Sequence, residues 1–237
     1  LGAFYRDDLL SHGVATNLTH TRAPQGQTGS CMVMVTPDAE RSMSTFLGAT
    51  ADIDHTALHP HDIAKSKVYY MEGYLAASPT GLEAALRGRA MAQEAGVALA
   101  VTLSDMSMIQ FCRSGLEAMI GEGLDYLFCN EEEAQVWCGT QDFGAICQQL
   151  GQLSRVVCLT RGARGCVVLE GANHTVVPAT AVRAVDTNGA GDMFAGAYLY
   201  AVTHGHSHAC AAWLANLAAG RVVSQYGNRL SQSAIAE

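Results

Sequence analysis

Four short, almost continuously apolar runs, KVYYME (67–72), VALAVTL (97–103), DYLFC (125–129) and VVCLT (156–160), are separated by stretches of helical character. A strand buried on both faces has no polar side to alternate with. Runs of this kind therefore belong to a mostly parallel sheet covered by helices on both sides. The intervening helices are expected at about 80–95, 114–121, 131–138 and 142–152, and two longer ones near 190–203 and 207–224. CVVLE and HTVVP, after the fourth run, read as a hairpin. Upstream, residues 1–13 read as the end of a helix closing at Gly13, and SCMVMVT and SMSTFLGA read as two strands around the turn PDAER. No internal repeat, low-complexity tract or long linker interrupts the pattern, so residues 1–237 are expected to form one domain.

Half of the residues are apolar and only 15% are charged, which supports a large core and argues against disorder. The net charge of −8 opposes nucleic acid or an anionic membrane surface as a main partner. The longest apolar run, about AGVALAVTL, is too short to span a bilayer, and LGAFYRDDLL lacks the pattern of a secretory leader. None of the eight cysteines forms a CxxC pair, and most lie in apolar runs, so free thiols in a reducing cytoplasm are expected. His204, His206 and His208 could chelate a metal, but a solvated turn between two helices is the commoner use of such a cluster. His55, His59 and His61 fall in a polar loop.

The stretch AVDTNGAGDMFAGAYLYAV (184–202) turns abruptly from polar to apolar. Asp186, Thr187 and Asn188 are residues of the capping type, while Gly189 and Gly191 tolerate unusual backbone angles. A loop feeding a helix N-terminus would make an anion site there, with unpaired N–H groups and the helix dipole. Asp192 stands where an anion would sit, which suits chemistry better than architecture. In CNEEEA, Asn130 and Glu133 would sit at the carboxyl end of a strand, where open α/β sheets bind ligands, yet the pair would equally serve as a capping box. In VVCLTRGARGCVVL, Thr160, Gly162 and Gly165 could let the backbone approach a phosphate, or simply turn a hairpin. Neither G-x-x-x-x-G-K-[ST] nor G-x-G-x-x-G is present, so the common NTPase and dinucleotide readings lose their main support.

Taken in order, N-x-x-E (Asn130–Glu133), T-x-G-x-x-G (Thr160–Gly165) and D-T-x-G-A-G-D (Asp186–Asp192) resemble the signature of the PfkB (ribokinase) family of carbohydrate and nucleoside kinases. TGSCMVMVTPDAERSMSTFLGA is similar to the lid strands of adenosine-kinase-like members. The resemblance implies a three-layer α/β/α ribokinase-like fold with a small β lid at about 28–50. It implies an ATP- and magnesium-dependent kinase acting on a hydroxymethyl group of a nucleoside or sugar, in the cytoplasm. Asp192 would be the base, and the amides of Gly189, Ala190 and Gly191 would hold the developing charge. Asn130 and Glu133 would serve magnesium and phosphate, with magnesium held through water. Thr160, Gly162 and Gly165 would lie along the nucleotide, and Asn216 would flank the adenine. Asp186, Asn188, Gly227 and Ser231 match a site for a monovalent cation such as K+, and Glu72 matches a carboxylate that reaches the acceptor.

Family members usually begin with a strand bearing a substrate-binding Asp, followed by a Gly-Gly segment ending in Asn. This sequence has neither, so most of the first third of the family pattern is expected to be missing from it. The lid's Met32, Met34 and Phe46 offer a surface better suited to a flat purine than to a hydroxyl-rich sugar, and the family resemblance implies a nucleoside phosphorylated on its 5′-hydroxyl. A lid buried in a homodimer would use the same composition. Fructose, ribose or ketodeoxygluconate is the alternative acceptor, and a non-catalytic binding protein of the same fold is the alternative of another class.

Overall fold

A computed structural model describes residues 2–16, 26–36 and 41–230. The core is a sheet of six strands in chain order: β3 (Val68–Glu72), β4 (Ala98–Thr102), β5 (Leu124–Asn130), β6 (Ser154–Thr160), β7 (Cys166–Glu170) and β8 (Asn173–Val177). The pairs from β3 to β6 are parallel. The β6–β7 and β7–β8 pairs are antiparallel, as the hairpin reading requires. Apart from the sheet stands a two-stranded antiparallel ribbon, β1 (Ser30–Val35) and β2 (Arg41–Phe46).

Helices cover both faces of the sheet. α3 (Pro79–Glu94), α5 (Arg113–Ile120), α6 (Glu131–Cys138) and α7 (Phe143–Leu150) lie on one side, and α8 (Ala190–Thr203) and α9 (His208–Val223) on the other. α1 (Gly2–Ser11), α2 (Pro60–Lys65) and α4 (Met106–Phe111) are the shorter or peripheral helices. Strand side chains alternate between the layers. Val157, Leu159, Val167 and Leu169 enter the first core, while Val156, Cys158, Cys166 and Val168 enter the second. Both sets are apolar because both faces are covered, which is why these strands read as continuous apolar runs.

The α8–α9 layer packs through alanines, with Ala195, Ala201, Ala211, Ala212 and Ala215 all buried. Tyr198 fills the space that these small residues leave. Its ring meets Phe128 edge-on at 5.7 Å, and its hydroxyl bonds His208 Nδ1 at 2.6 Å. His204 Nδ1 meets the Tyr200 carbonyl at 2.6 Å, so His204 and His208 both serve local hydrogen bonds. All eight cysteines are free; Cys129, Cys158 and Cys166 are buried, whereas Cys31 and Cys210 are exposed. Burial pushes the Cys166 thiol up to about 11 and those of Cys129 and Cys158 higher than usual. Among the described residues, no helix is long and apolar enough to cross a membrane.

The ribbon register pairs Met32 with Ser44, Met34 with Ser42 and Ser30 with Phe46. Side chains alternate across a strand, so Met32, Met34 and Phe46 share one face, and Cys31, Val33, Val35 and Met43 share the other. Met32 and Phe46 remain 62% and 50% exposed, so the ribbon's apolar surface is not absorbed by the core. Pro37 to Glu40, most of the expected turn, lie outside the described residues.

Candidate active site

The parallel register brings the ends of successive strands to one edge of the sheet. Glu72 pairs with Thr102, Thr102 with Phe128, and Asn130 with Thr160. The α8 N-terminus approaches this edge, since the Asp192 charge in its first turn acts on Glu72.

Asn130 and Glu133 form the capping box in full. Asn130 Oδ1 accepts from the Glu133 N–H at 2.8 Å, and Glu133 Oε2 accepts from the Asn130 N–H at 3.0 Å. Asn130 Nδ2 also donates to Glu133 Oε1 at 2.7 Å, so the carboxylate is fixed as well as buried. Glu131, next in the chain, is an acidic residue in the first turn of α6. It binds Arg161 Nε at 3.2 Å and also pairs with Arg164. Arg161 lies over the Phe143 ring, which holds the turn after β6 in place.

Within that turn the two glycines differ. Gly162 has φ +55° and open space where a Cβ would stand. Gly165 has φ +84°, and a Cβ there would fall 2.1 Å from the Val177 carbonyl oxygen. The space at Gly165 is thus taken by the protein's own backbone after β8. Asn216, buried in α9, donates to the Val177 and Pro178 carbonyls at 3.1 and 3.2 Å, so its amide ties α9 to the same segment.

The capping-type residues before α8 do not cap it. Ser78, Asp105, Asn130, Asp142 and Ser207 cap α3, α4, α6, α7 and α9, whereas the N-cap of α8 is Gly189, at φ +77° and with no side-chain bond. The first helical bond runs from the Met193 N–H to the Gly189 carbonyl at 2.9 Å. The Ala190 N–H makes only a long 3.4 Å bond to the Thr187 carbonyl. A helix start left without a side-chain acceptor is suited to an outside anion. Asp186 works elsewhere. Buried, it accepts from the Asn188 N–H at 2.9 Å and the Gly227 N–H at 3.0 Å. The structure therefore brings Asp186, Asn188 and Gly227 together, and Ser231 lies outside the described residues.

Asp192 is exposed in the first turn of α8. Burial, and then the Asp192 charge, hold the Glu72 carboxyl above the usual carboxylate range, against hydrogen bonds from Ser104 and Tyr70. Tyr74 is pushed up to about 12 by burial and by the charges of Asp105, Glu133, Asp192 and Glu72. Four carboxylates therefore act on Tyr74. Sequence reasoning passed over Tyr74 and Ser104, which neither periodicity nor a motif marks; their position just past a strand end was the available signal.

The six-stranded mixed sheet flanked by helices on both faces is of the ribokinase-like fold class. The chain belongs to the family of pfkB family carbohydrate kinases, whose pattern matches residues 1–235. It is similar to the adenosine kinase from Sinorhizobium meliloti, with 34% identity, a TM-score of 0.93, and coverage of 99% of this chain and 72% of that one. A probable sugar kinase protein from Rhizobium etli CFN 42 compares at 32% identity and a TM-score of 0.93, with the same coverage of 99% and 72%. An adenosine kinase of Schizophyllum commune is 29% identical over 202 residues, which is 76% of this chain and 58% of that protein. The chain thus spans less than two thirds of the length of such curated relatives, 58% and 63% for the Schizophyllum commune and Arabidopsis thaliana adenosine kinases.

Proposed function

We propose that the protein is a kinase that transfers the γ-phosphate of ATP to a hydroxymethyl group, with a nucleoside as acceptor. The observation that carries this reading is the uncapped α8 start with Asp192 in its first turn. Five other helices satisfy their own N-terminus with a side chain, whereas α2 and α5, like α8, show no side-chain cap bond; of these three starts only that of α8 follows a glycine at positive φ. Asp192 would orient the acceptor hydroxyl and take its proton late, as a loose phosphoryl-transfer transition state allows. The first-turn amides after Gly189 would face the charge that develops on the transferred group.

The carboxylates of Asp105, Glu133, Asp192 and Glu72 around Tyr74 favour a nucleotide carrying a cation over a bare polyphosphate. Asn130 and Glu133 offer oxygen donors, which suit magnesium. Among the described residues no group of three His, Cys, Asp or Glu side chains could hold a metal directly. Magnesium commonly keeps several waters and leans on substrate phosphates, so this donor set fits a water-mediated ion. When bound, magnesium would neutralise phosphate charge during transfer. Thr160, Gly162, Gly165 and Asn216 stay on the nucleotide side of the reading, although a Cβ at Gly165 would meet the Val177 carbonyl and Asn216 donates to backbone carbonyls. A monovalent cation near Asp186, and a cytoplasmic location, complete it.

The shared face of Met32, Met34 and Phe46 supports a nucleoside over a sugar, because a flat base needs fewer hydrogen-bond partners than a hydroxyl-rich ring. The opposite face, with Val33, Val35 and Met43, would serve a second copy of the chain. ADP release by the complete protein tests the reading: adenosine should stimulate it more than fructose or ribose at equal concentration. Turnover of a free sugar with none on adenosine would move the assignment to a sugar kinase. Binding of adenosine without ADP release would favour a non-catalytic protein of this fold.

A further inference from the structure

Ser104 is, among the described residues, the one non-glycine residue with a positive φ, at +68°. It stands two residues past β4, and the Asp105 N–H returns to the Leu103 carbonyl at 2.8 Å, closing a three-residue turn on it. L-residues hold such a turn only where their surroundings enforce it, and such residues cluster at functional sites. Here three bonds enforce it. The Ser104 N–H donates to Thr102 Oγ1 at 3.2 Å, Ser104 Oγ accepts from the Gly73 N–H at 2.8 Å, and the same hydroxyl donates to Glu72 Oε2 at 3.2 Å. A hydroxyl has one proton to give, and its other acceptor, the Thr102 carbonyl, lies at 3.5 Å. The better-placed acceptor is the carboxylate. Gly73 packs so tightly that a Cβ would lie 2.8 Å from the Thr102 carbonyl oxygen, which fixes the amide on which the hydroxyl rests.

We propose that Ser104 is a positioning residue, whose hydroxyl holds the Glu72 carboxylate in the orientation that receives the acceptor's hydroxyl group. The inference rests on reading the chain as a kinase with Glu72 on the acceptor side. The titratable groups around Glu72 are Asp192 from α8, Tyr70 from β3 and Tyr74 from the turn after β3. Burial, and then the Asp192 charge, oppose its ionisation, whereas the Ser104 and Tyr70 hydroxyls favour it. Without the Ser104 hydroxyl, Glu72 is both less fixed and harder to ionise.

The test pairs Ser104→Ala with Ser104→Gly in the complete protein, assayed with adenosine or with whichever sugar supports turnover. Glycine takes φ +68° without strain, so it removes the hydroxyl and spares the backbone. Both variants should raise KM for the acceptor about tenfold, the scale of one hydrogen bond to a charged group, and leave KM for ATP unchanged. In both, the acid limb of kcat/KM for the acceptor should move to higher pH. If Ser104→Ala fails to fold, Ser104→Gly gives the reading alone. Wild-type acceptor KM in Ser104→Gly would overturn the proposal, leaving Ser104 a backbone role only. A loss spread equally over ATP and acceptor, with the acid limb unmoved, would also overturn it. A wild-type protein whose ADP release ignores every acceptor would instead sink the kinase reading, and this inference with it.

Discussion

The Asp186 carboxylate accepts a hydrogen bond from the Gly227 N–H at 3.0 Å and so ties the loop before α8 to the loop after α9. Its other oxygen takes the Asn188 N–H, two residues along the loop that ends at the helix start. Asp186→Ala should therefore destabilise the protein by about 1–3 kcal/mol, the cost of stranding buried donors. A monovalent cation in the same loop would add a second effect. Activity of the wild-type protein should rise when potassium replaces a bulky organic cation at constant ionic strength. A flat response would assign Asp186 to bracing alone.

The two glycines of the turn after β6 should respond differently to alanine. Gly162→Ala meets open space and should cost about 1–2 kcal/mol, the left-handed backbone penalty of an L-residue. Gly165→Ala adds a clash with the Val177 carbonyl and must move the chain that Asn216 grips. Its melting temperature should fall well below that of Gly162→Ala. Equal losses in the two variants would contradict the packing described for Gly165.

Much of this architecture was legible because it follows from burial. The runs at 67–72, 97–103, 125–129 and 156–160 are apolar on both faces, and each forms a sheet strand within them or within a residue or two of their ends. The Asn130–Glu133 box was equally legible, because its two bonds are local. What local pattern could not give was the partner of each loop. Asp186, Thr187 and Asn188 suit a cap, but Gly227 claims the Asp186 carboxylate from 41 residues away. Glycine spacing could not distinguish Gly162 from Gly165, since the difference lies in the backbone of Val177 and Pro178. Ser104 carries no propensity for its left-handed angle; Gly73 and Glu72, from a neighbouring strand end, impose it.

Glu72 offers a test through pH. Its carboxyl is raised in the folded state by burial and by Asp192, so folding favours the protonated form. That contribution is fully present below the unfolded carboxylate pKa of about 4.3 and is lost as pH rises through the folded-state value. Glu72→Gln carries no such loss. The melting temperature of the variant relative to wild type should thus climb from acid pH toward neutrality and then level off. A difference that stays constant with pH would mean that Glu72 is ionised as freely in the fold as outside it.

A single-turnover measurement tests directly whether Asp192 takes the proton of the acceptor hydroxyl. Asp192→Asn keeps the size of the side chain at an exposed first-turn position, so the melting temperature and ATP affinity should stay close to wild type. Phosphoryl transfer to adenosine, followed with ATP bound in advance, should slow by about 10²-fold or more. Transfer at the wild-type rate in the folded, ATP-binding Asp192→Asn protein would contradict the account.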